Sequence, residues 1–180
     1  MKAWESNIRK VEPYVPGEQP NLPDMVKLNT NENPYPPSPK VAEALQKFEL
    51  DSLRLYPDPA STDLVNALAE RYHVQADQVY TGVGSDDVLA IAFLTFFNSG
   101  KPILFPDITY SFYDVWAELF QIPYERPALD DAFALRLEDY QCENGGIVIA
   151  NPNAPTGIRQ SEEFLRAVIE ANPNVVVIID

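Results

Sequence analysis

Apolar and polar positions form two different kinds of pattern along the chain. In residues 38–50 and 61–72, apolar side chains recur every three or four positions behind a Ser-Pro and a Ser-Thr pair. This pattern predicts two amphipathic helices, the first with a serine N-cap and a first-turn proline and the second behind a Ser/Thr cap. From Gln78 onward, short apolar runs alternate with longer helical patterns. The runs predict strands at 78–82, 101–105, 122–127, 146–150 and 174–180, and the longer patterns predict helices at 85–97, 111–120, 135–141 and 161–171.

The last strands indicate the class of sheet. The runs 146–150 and 175–179 are continuously apolar rather than alternating, which is typical of strands buried on both faces. Strands of this kind that alternate with helices predict an α/β fold with a mostly parallel central sheet and flanking helices. The chain stops on a strand with no helix to cover it, so we expect it to be the front part of a larger protein.

The first 37 residues have a different character. They are rich in proline and show little periodicity, so they cannot form a long helix, and we interpret them as an extended arm. The composition favours disorder, whereas Trp4, Tyr14, Val15 and Tyr35 offer apolar anchors that favour docking. The predicted division is an arm (1–37), a linking helical segment (38–77) and an α/β domain that is incomplete at its C-terminus (78–180).

Composition excludes several classes of function. The chain carries 13 basic and 27 acidic residues, a net charge of −14, which argues against nucleic acid and anionic membranes as partners. Cys142 and His73 are the only residues of their types, so neither an intrachain disulfide nor a Cys- or His-cluster metal site is expected. The N-terminus lacks the apolar core of a secretory signal, and the apolar run 88–97 is too short to span a bilayer. These features fit a cytoplasmic protein.

Candidate binding residues follow the predicted strands, where ligands bind in open α/β sheets. Gly84, Ser85 and Asp86 begin a helix after the strand 78–82, and free N–H groups there suit a phosphate, although Ser85 or Asp86 also suits a simple helix cap. Tyr110 follows the strand 101–105, as either an aromatic that lies over a ring or one more core residue.

Two further candidates lie at the ends of the last strands. The loop in "IVIANPNAPTGI" (147–158) presents asparagine amides between prolines of fixed φ, although asparagine also suits turns for local reasons. Asp180 either begins a turn or faces a cationic ring nitrogen. Together these candidates describe a site for pyridoxal 5′-phosphate (PLP). They comprise a phosphate-binding helix N-terminus, a stacking aromatic ring, amides and a carboxylate.

With these motifs the sequence resembles the fold-type I aminotransferases, and within them the histidinol-phosphate branch. The resemblance covers nearly the whole chain. It is carried, in order, by "PYVPGEQP", "LNTNENPYPPSP", "LRLYPDP", "VYTGVGSDDVL", "PDITYSFYDVWA", "NPNAPTG" and "VVVIID". It implies that residues 78–180 are part of the large PLP-binding domain, and that the arm is docked.

The resemblance also implies roles for individual residues. On the cofactor side, backbone groups of Gly84, Ser85 and Asp86 would seat the phosphate, Tyr110 would stack on the ring, and Asp180 would hold the ring nitrogen. Tyr56 would reach the cofactor phosphate of a neighbouring subunit, which implies a homodimer with shared active sites. On the substrate side, Tyr14 would bind the substrate phosphate, with Asn29 and Asn31 nearby.

Two positions depart from the family pattern. Ala154 stands where an asparagine usually bonds the phenolic oxygen of the cofactor, and Asn153 is the candidate substitute. A lysine that carries the cofactor is expected beyond Asp180, because the lysines present lack its context; they are Lys2, Lys10, Lys27, Lys40, Lys47 and Lys101. No catalytic residue is therefore expected in this chain, which should be inactive alone.

The reaction implied for the full-length enzyme is transamination between histidinol phosphate (or imidazole acetol phosphate) and 2-oxoglutarate (or glutamate), in histidine biosynthesis. Its partners would be a small-molecule amino donor and a 2-oxo acid acceptor. The alternatives are an aromatic aminotransferase, a phospho-amino-acid decarboxylase, and a non-catalytic fragment that binds PLP or phosphate.

Overall fold

The computed structural model describes residues 3–18, 22 and 24–180. The chain divides into two compact units, one made of Met1–Tyr14 with Gly82–Asp180 and the other of Val15–Thr81. Positions 1, 2, 19–21 and 23 of the predicted arm lie outside the described residues. The division into arm, linking segment and large domain stays a prediction.

The first unit contains a four-stranded sheet in which every pair of neighbouring strands is parallel. Its strands are β1 (Ile103–Leu104), β2 (Tyr124–Glu125), β3 (Gly146–Ile149) and β4 (Val177–Ile179), in the order β2-β1-β3-β4. The register pairs Ile103 with Gly146, and Ile147 with Val177. The helices of this unit are α3 (Ser85–Phe96), α4 (Phe112–Phe120) and α5 (Glu162–Ala171), with 3-10 turns at Ala3–Asn7 and Leu137–Tyr140. The predicted parallel α/β fold is confirmed.

Two apolar clusters explain why β3 is apolar at every position. Val148 packs in a cluster with Phe93 and Trp116, whereas Ile147 and Ile149 pack in a second cluster with Leu104, Tyr140 and Val168. Successive side chains of a strand point to opposite faces, so β3 is covered on both of its faces. Burial on both faces leaves no position for a polar residue.

The second unit is helical. It contains α1 (Pro39–Gln46) and α2 (Thr62–Tyr72), with 3-10 turns at Leu50–Arg54 and Ala76–Gln78. Ser38 caps α1 as predicted, because its hydroxyl accepts from the Lys40 N–H at 3.3 Å. The predicted Ser/Thr cap of α2 places Ser61 at the N-cap position, but its side chain makes no cap hydrogen bond. The Asp58 carboxylate accepts from the Thr62 N–H at 2.7 Å and from the Ala60 N–H at 3.0 Å.

The prediction of a strand at 78–82 is also wrong. A 3-10 turn ends at Gln78 and the following residues are irregular, with Tyr80 exposed. A strand needs a partner for its backbone groups, and 78–82 pairs with no strand within the described residues. The predicted short helix at 135–141 is present as the 3-10 turn Leu137–Tyr140.

Candidate functional site

The carboxyl ends of β3 and β4 are held together by backbone hydrogen bonds. The Asp180 N–H donates to the Ile149 carbonyl at 2.9 Å, and the Asn151 N–H donates to the Asp180 carbonyl at 2.8 Å. These bonds place the start of the loop 150–161 beside the backbone of Asp180. This edge of the sheet is where an open α/β fold binds its ligands.

The side chain of Asp180 has a partner on α4. The Tyr113 hydroxyl donates a hydrogen bond of 2.6 Å to Asp180 Oδ2. Tyr113 is completely buried, whereas Asp180 is exposed. Burial and the bond to Asp180 raise the pKa of the Tyr113 phenol, which therefore remains a neutral donor.

Tyr110 links the start of α4 to the start of α3. Its hydroxyl donates to Asp86 Oδ1 at 3.0 Å, and its ring stands perpendicular to the Tyr113 ring at 5.7 Å between centroids. Burial, followed by the bond to Asp86, raises the pKa of Tyr110. Asp86, Tyr110, Tyr113 and Asp180 thus form one connected cluster, which we call the aromatic–carboxylate cluster.

The N-terminus of α3 is open at Gly84. This glycine has a φ of +92°, and a Cβ added there would meet nothing within 4 Å. No side chain of the described residues caps the helix, since Asp86 bonds Tyr110 and the Asp87 carboxylate accepts instead from the Val83 N–H. The first-turn N–H groups therefore remain without a side-chain cap.

The side chain of Asn153 is bonded within its own surroundings. It is 8% exposed; its Nδ2 donates to the Ile108 carbonyl at 2.9 Å and to Thr156 Oγ1 at 3.0 Å. Its Oδ1 accepts from Thr109 Oγ1 at 2.8 Å. Both amide protons are thus engaged, and a bond from Asn153 to a cofactor oxygen stays a prediction. The adjoining Ala154 is half-buried.

Part of the arm docks on α4. The Tyr14 ring stacks on Phe112 with centroids 4.5 Å apart and lies 6.3 Å from the Tyr110 ring. Arg9 donates to the Leu119 carbonyl near the end of the same helix. Docking, rather than disorder, therefore describes residues 3–14, and it brings Tyr14 beside the aromatic–carboxylate cluster.

Three predicted residues belong to the second unit. Tyr56 is fully exposed, Asn29 donates to the Glu18 carbonyl at 2.7 Å, and Asn31 adopts a φ of 51°. Within the described residues, no group of three or more His, Cys, Asp or Glu side chains suits a metal ion.

The sequence did not indicate the hydrogen bond of Tyr113, which is buried like a core residue. The available signal was its position three residues after Tyr110, at the start of α4. Thr109 was missed as well, because its bond to Asn153 joins residues 44 positions apart.

Comparison with known proteins identifies the family. The model of aminotransferase class I and II matches residues 23–180. The chain belongs to this family.

Curated members of this family are similar over the whole chain. Histidinol-phosphate aminotransferase of Lactococcus lactis subsp. cremoris (strain MG1363) is 52% identical over 178 residues, which cover 99% of this chain and 50% of the relative. The enzyme of the same name from Acinetobacter baylyi is 50% identical and covers 100% of this chain, with 51% of its own length matched. The chain therefore spans about half the length of the curated relatives it matches.

Solved structures in the family share the fold. Histidinol-phosphate aminotransferase from Sinorhizobium meliloti, in complex with pyridoxal-5′-phosphate, superposes with a TM-score of 0.75 at 22% identity, over 84% of this chain and 42% of that one. The corresponding enzyme from Clostridium acetobutylicum gives a TM-score of 0.67 at 20% identity, over 77% and 42%. No helix within the described part of this aminotransferase-family chain has the length and apolar character needed to cross a membrane.

Proposed function

We propose that this chain supplies the N-terminal part of the PLP site of an aminotransferase. The full-length protein would transfer an amino group between histidinol phosphate, or imidazole acetol phosphate, and 2-oxoglutarate or glutamate, in histidine biosynthesis. The observation that carries the proposal is the aromatic–carboxylate cluster at the carboxyl edge of the sheet. The names of the relatives at 50% identity and above support the choice of substrate.

The residues at this edge fit the cofactor. The exposed carboxylate of Asp180 suits a protonated ring nitrogen, and the half-buried ring of Tyr110 offers an aromatic face beside it. The open space at Gly84 and the uncapped N–H groups of Ser85 and Asp86 suit a phosphate. A cofactor with a cationic ring and a phosphate matches this combination.

When bound, PLP supplies an electron sink for reactions at the substrate α-carbon. The chain supplies binding and orientation. Asp180 keeps the proton on the ring nitrogen, and Tyr110 fixes the plane of the ring. The N–H groups that follow Gly84 neutralise phosphate charge without a cationic side chain. Asn153 holds the loop 150–161 against residues 108 and 109 and so shapes the same edge.

The remaining predicted residues complete the proposal. Tyr14 would contribute to the substrate phosphate site from the docked arm, with Asn29 and Asn31 near the substrate. Tyr56, fully exposed here, would reach the cofactor phosphate of a second subunit in a homodimer. The lysine that carries the cofactor would come from residues outside this chain. We propose a cytoplasmic enzyme.

The proposal is tested with the full-length protein. Adding PLP to apoprotein should produce a visible absorption band that changes on addition of histidinol phosphate, and 2-oxoglutarate should then yield glutamate. Absence of a responsive band would contradict the assignment. Phenylalanine or tyrosine as the better amino donor would instead support an aromatic aminotransferase, and release of CO₂ from a phospho-amino acid would support a decarboxylase. Cofactor binding without any turnover would leave a non-catalytic protein.

The role of Asp180 is tested by substitution. Asp180→Ala should weaken PLP binding by about 30-fold or more, because one partner of a desolvated charge pair is lost, and should nearly abolish turnover. Asp131→Ala, which removes an exposed carboxylate from the turn after β2, is the matched control and should leave both unchanged. Full activity of Asp180→Ala would contradict the proposed role.

A further inference from the structure

We propose that Tyr113 is a positioning residue for Asp180: it orients the carboxylate toward the cofactor ring and satisfies the oxygen that the ring does not use. This inference rests on the proposed function. The observation behind it is the hydrogen bond of 2.6 Å from the Tyr113 hydroxyl to Asp180 Oδ2, which connects α4 to the end of β4.

The position of the donor is set by packing. Tyr113 has no exposed surface, and its ring contacts the rings of Phe93 at 6.1 Å, Phe105 at 5.8 Å and Trp116 at 6.3 Å between centroids. A side chain held on several sides in a close-packed core has little rotational freedom. The hydroxyl is therefore a fixed point from which a hydrogen bond can orient a more mobile group.

Asp180 is the group that needs orientation. Its backbone is held by hydrogen bonds to Ile149 and Asn151, and the Tyr113 hydroxyl is the hydrogen-bond partner of its carboxylate. A hydrogen bond to one carboxylate oxygen selects a rotamer and leaves the second oxygen available to a ring nitrogen. The neutral phenol can only donate to the carboxylate, because burial raises its pKa above the ordinary range.

Desolvation gives this bond a second role. A ring that covers Asp180 removes water from its carboxylate, and a charged group that loses water is costly unless hydrogen bonds replace it. Tyr113 supplies one such bond before the cofactor arrives. The ring of Tyr113 also packs perpendicular to the ring of Tyr110, so Tyr113 supports the aromatic face of the site.

Tyr140 shows that a buried tyrosine in this chain does not require such a bond. It is 1% exposed, and its hydroxyl has no hydrogen-bond partner among the described residues. Tyr140 packs in the cluster with Leu104 and Val168, not in the one that contains Tyr113. Tyr140→Phe is therefore a matched control, since it removes a buried hydroxyl without touching the aromatic–carboxylate cluster.

The experiment compares Tyr113→Phe and Tyr140→Phe in the full-length protein. Tyr113→Phe keeps the ring and removes the donor, so PLP affinity of the apoprotein, measured by quenching of tryptophan fluorescence, should fall about tenfold. The pH dependence of the visible absorption band of bound PLP should also shift, because Asp180, the partner of the ring nitrogen, has lost a hydrogen bond. Tyr140→Phe should change neither quantity. Wild-type affinity and an unshifted profile in Tyr113→Phe would overturn the inference.

A double-mutant cycle tests whether Tyr113 acts through Asp180. In an Asp180→Asn background, Tyr113→Phe should cause little further loss of PLP affinity, because the group that Tyr113 orients is already altered. An equal loss in both backgrounds would show that Tyr113 acts through packing alone and would overturn the inference. Asp180→Ala separates the two proposals: unchanged PLP affinity in that variant contradicts the proposed function itself.

Folding of the variant is checked by the thermal unfolding of each apoprotein. If Tyr113→Phe does not fold, 3-fluorotyrosine incorporated at position 113 keeps the ring and the donor but makes the hydroxyl more acidic. The visible band of bound PLP should then shift its pH dependence relative to wild type, whereas the same substitution at position 140 should not shift it. No difference between the two positions would overturn the inference.

Discussion

The side-chain amide of Asn144 donates a hydrogen bond of 2.8 Å to the amide oxygen of Asn172, and both residues are buried. Asn172 in turn donates to the carbonyls of Tyr140 at 2.7 Å and Val168 at 2.8 Å. The Oδ1 atom of Asn144 accepts from the Gly146 N–H at 2.9 Å. This amide pair therefore joins the end of α5 to the start of β3. Asp180 lies at the other edge of the sheet, where β3 and β4 end.

Asn172→Ala should lower the free energy of unfolding by about 2–4 kcal/mol, because it leaves several buried polar groups without partners. PLP affinity should stay close to wild type, since the pair lies at the other end of the sheet. Asn98→Ala removes an exposed amide that bonds only carbonyls at the end of α3, and should cost about 1 kcal/mol. Urea unfolding measures both, and equal losses would contradict the burial argument.

Gly146 begins β3 where the backbone leaves no room for a side chain. Its φ is +149°, and an added Cβ would lie 2.2 Å from Cε1 of the buried Phe97. Gly146→Ala should destabilise by about 3 kcal/mol or more through overpacking and backbone strain. Gly100→Ala, at φ +77° with open space around the Cβ position, should cost only about 1–2 kcal/mol of strain. Thermal unfolding of the two variants distinguishes the effects; a smaller loss at Gly146 would contradict the prediction.

The side chain of Asn153 makes three hydrogen bonds, so its removal should lower the stability of the fold at the site. Asn153→Ala should reduce the free energy of unfolding by about 2–3 kcal/mol, because Ile108, Thr109 and Thr156 lose a buried partner. Arg159→Ala, an exposed change in the same loop, should stay within about 0.5 kcal/mol of wild type. Chemical unfolding of the apoproteins tests this, and wild-type stability of Asn153→Ala would show that the loop does not depend on the amide.

Buried phenols predict sensitivity to alkaline pH. Burial is the largest cause that raises the pKa values of Tyr110, Tyr113 and Tyr140 above the ordinary 10.0. A folded-state pKa above the unfolded value contributes stability that is fully present below the unfolded pKa and is lost as pH rises toward the folded one. Stability should therefore fall above about pH 10, and phenolate absorbance should show these tyrosines titrating only on unfolding. Ordinary titration of all 9 tyrosines in the folded protein would contradict this.

Local signals predicted most elements. The helices α3, α4 and α5 lie within the predicted ranges, because an amphipathic or apolar run carries its own period. The predicted strand at 78–82 is absent because a strand needs a neighbouring strand to pair with, and a short stretch of sequence does not specify that neighbour. Ser61 makes no side-chain cap bond because its backbone is left-handed, at φ 48°, whereas a capping serine normally has an extended backbone that lets its hydroxyl reach the second or third N–H of the helix. That backbone conformation is set by the preceding loop, which composition does not reveal.

The sequence by itself determined the parallel α/β class, the family, and the positions at which Tyr110, Asn153 and Asp180 follow strands or begin helices. Those properties depend on order and spacing along the chain. Only the tertiary structure decided the partners: Tyr113 for Asp180, Asp86 for Tyr110, and Thr109 for Asn153. Each pair joins residues 24 to 67 positions apart. Asn153 and Asp180 reach their partners because parallel strands bring their carboxyl ends to one edge of the sheet, which no local pattern encodes.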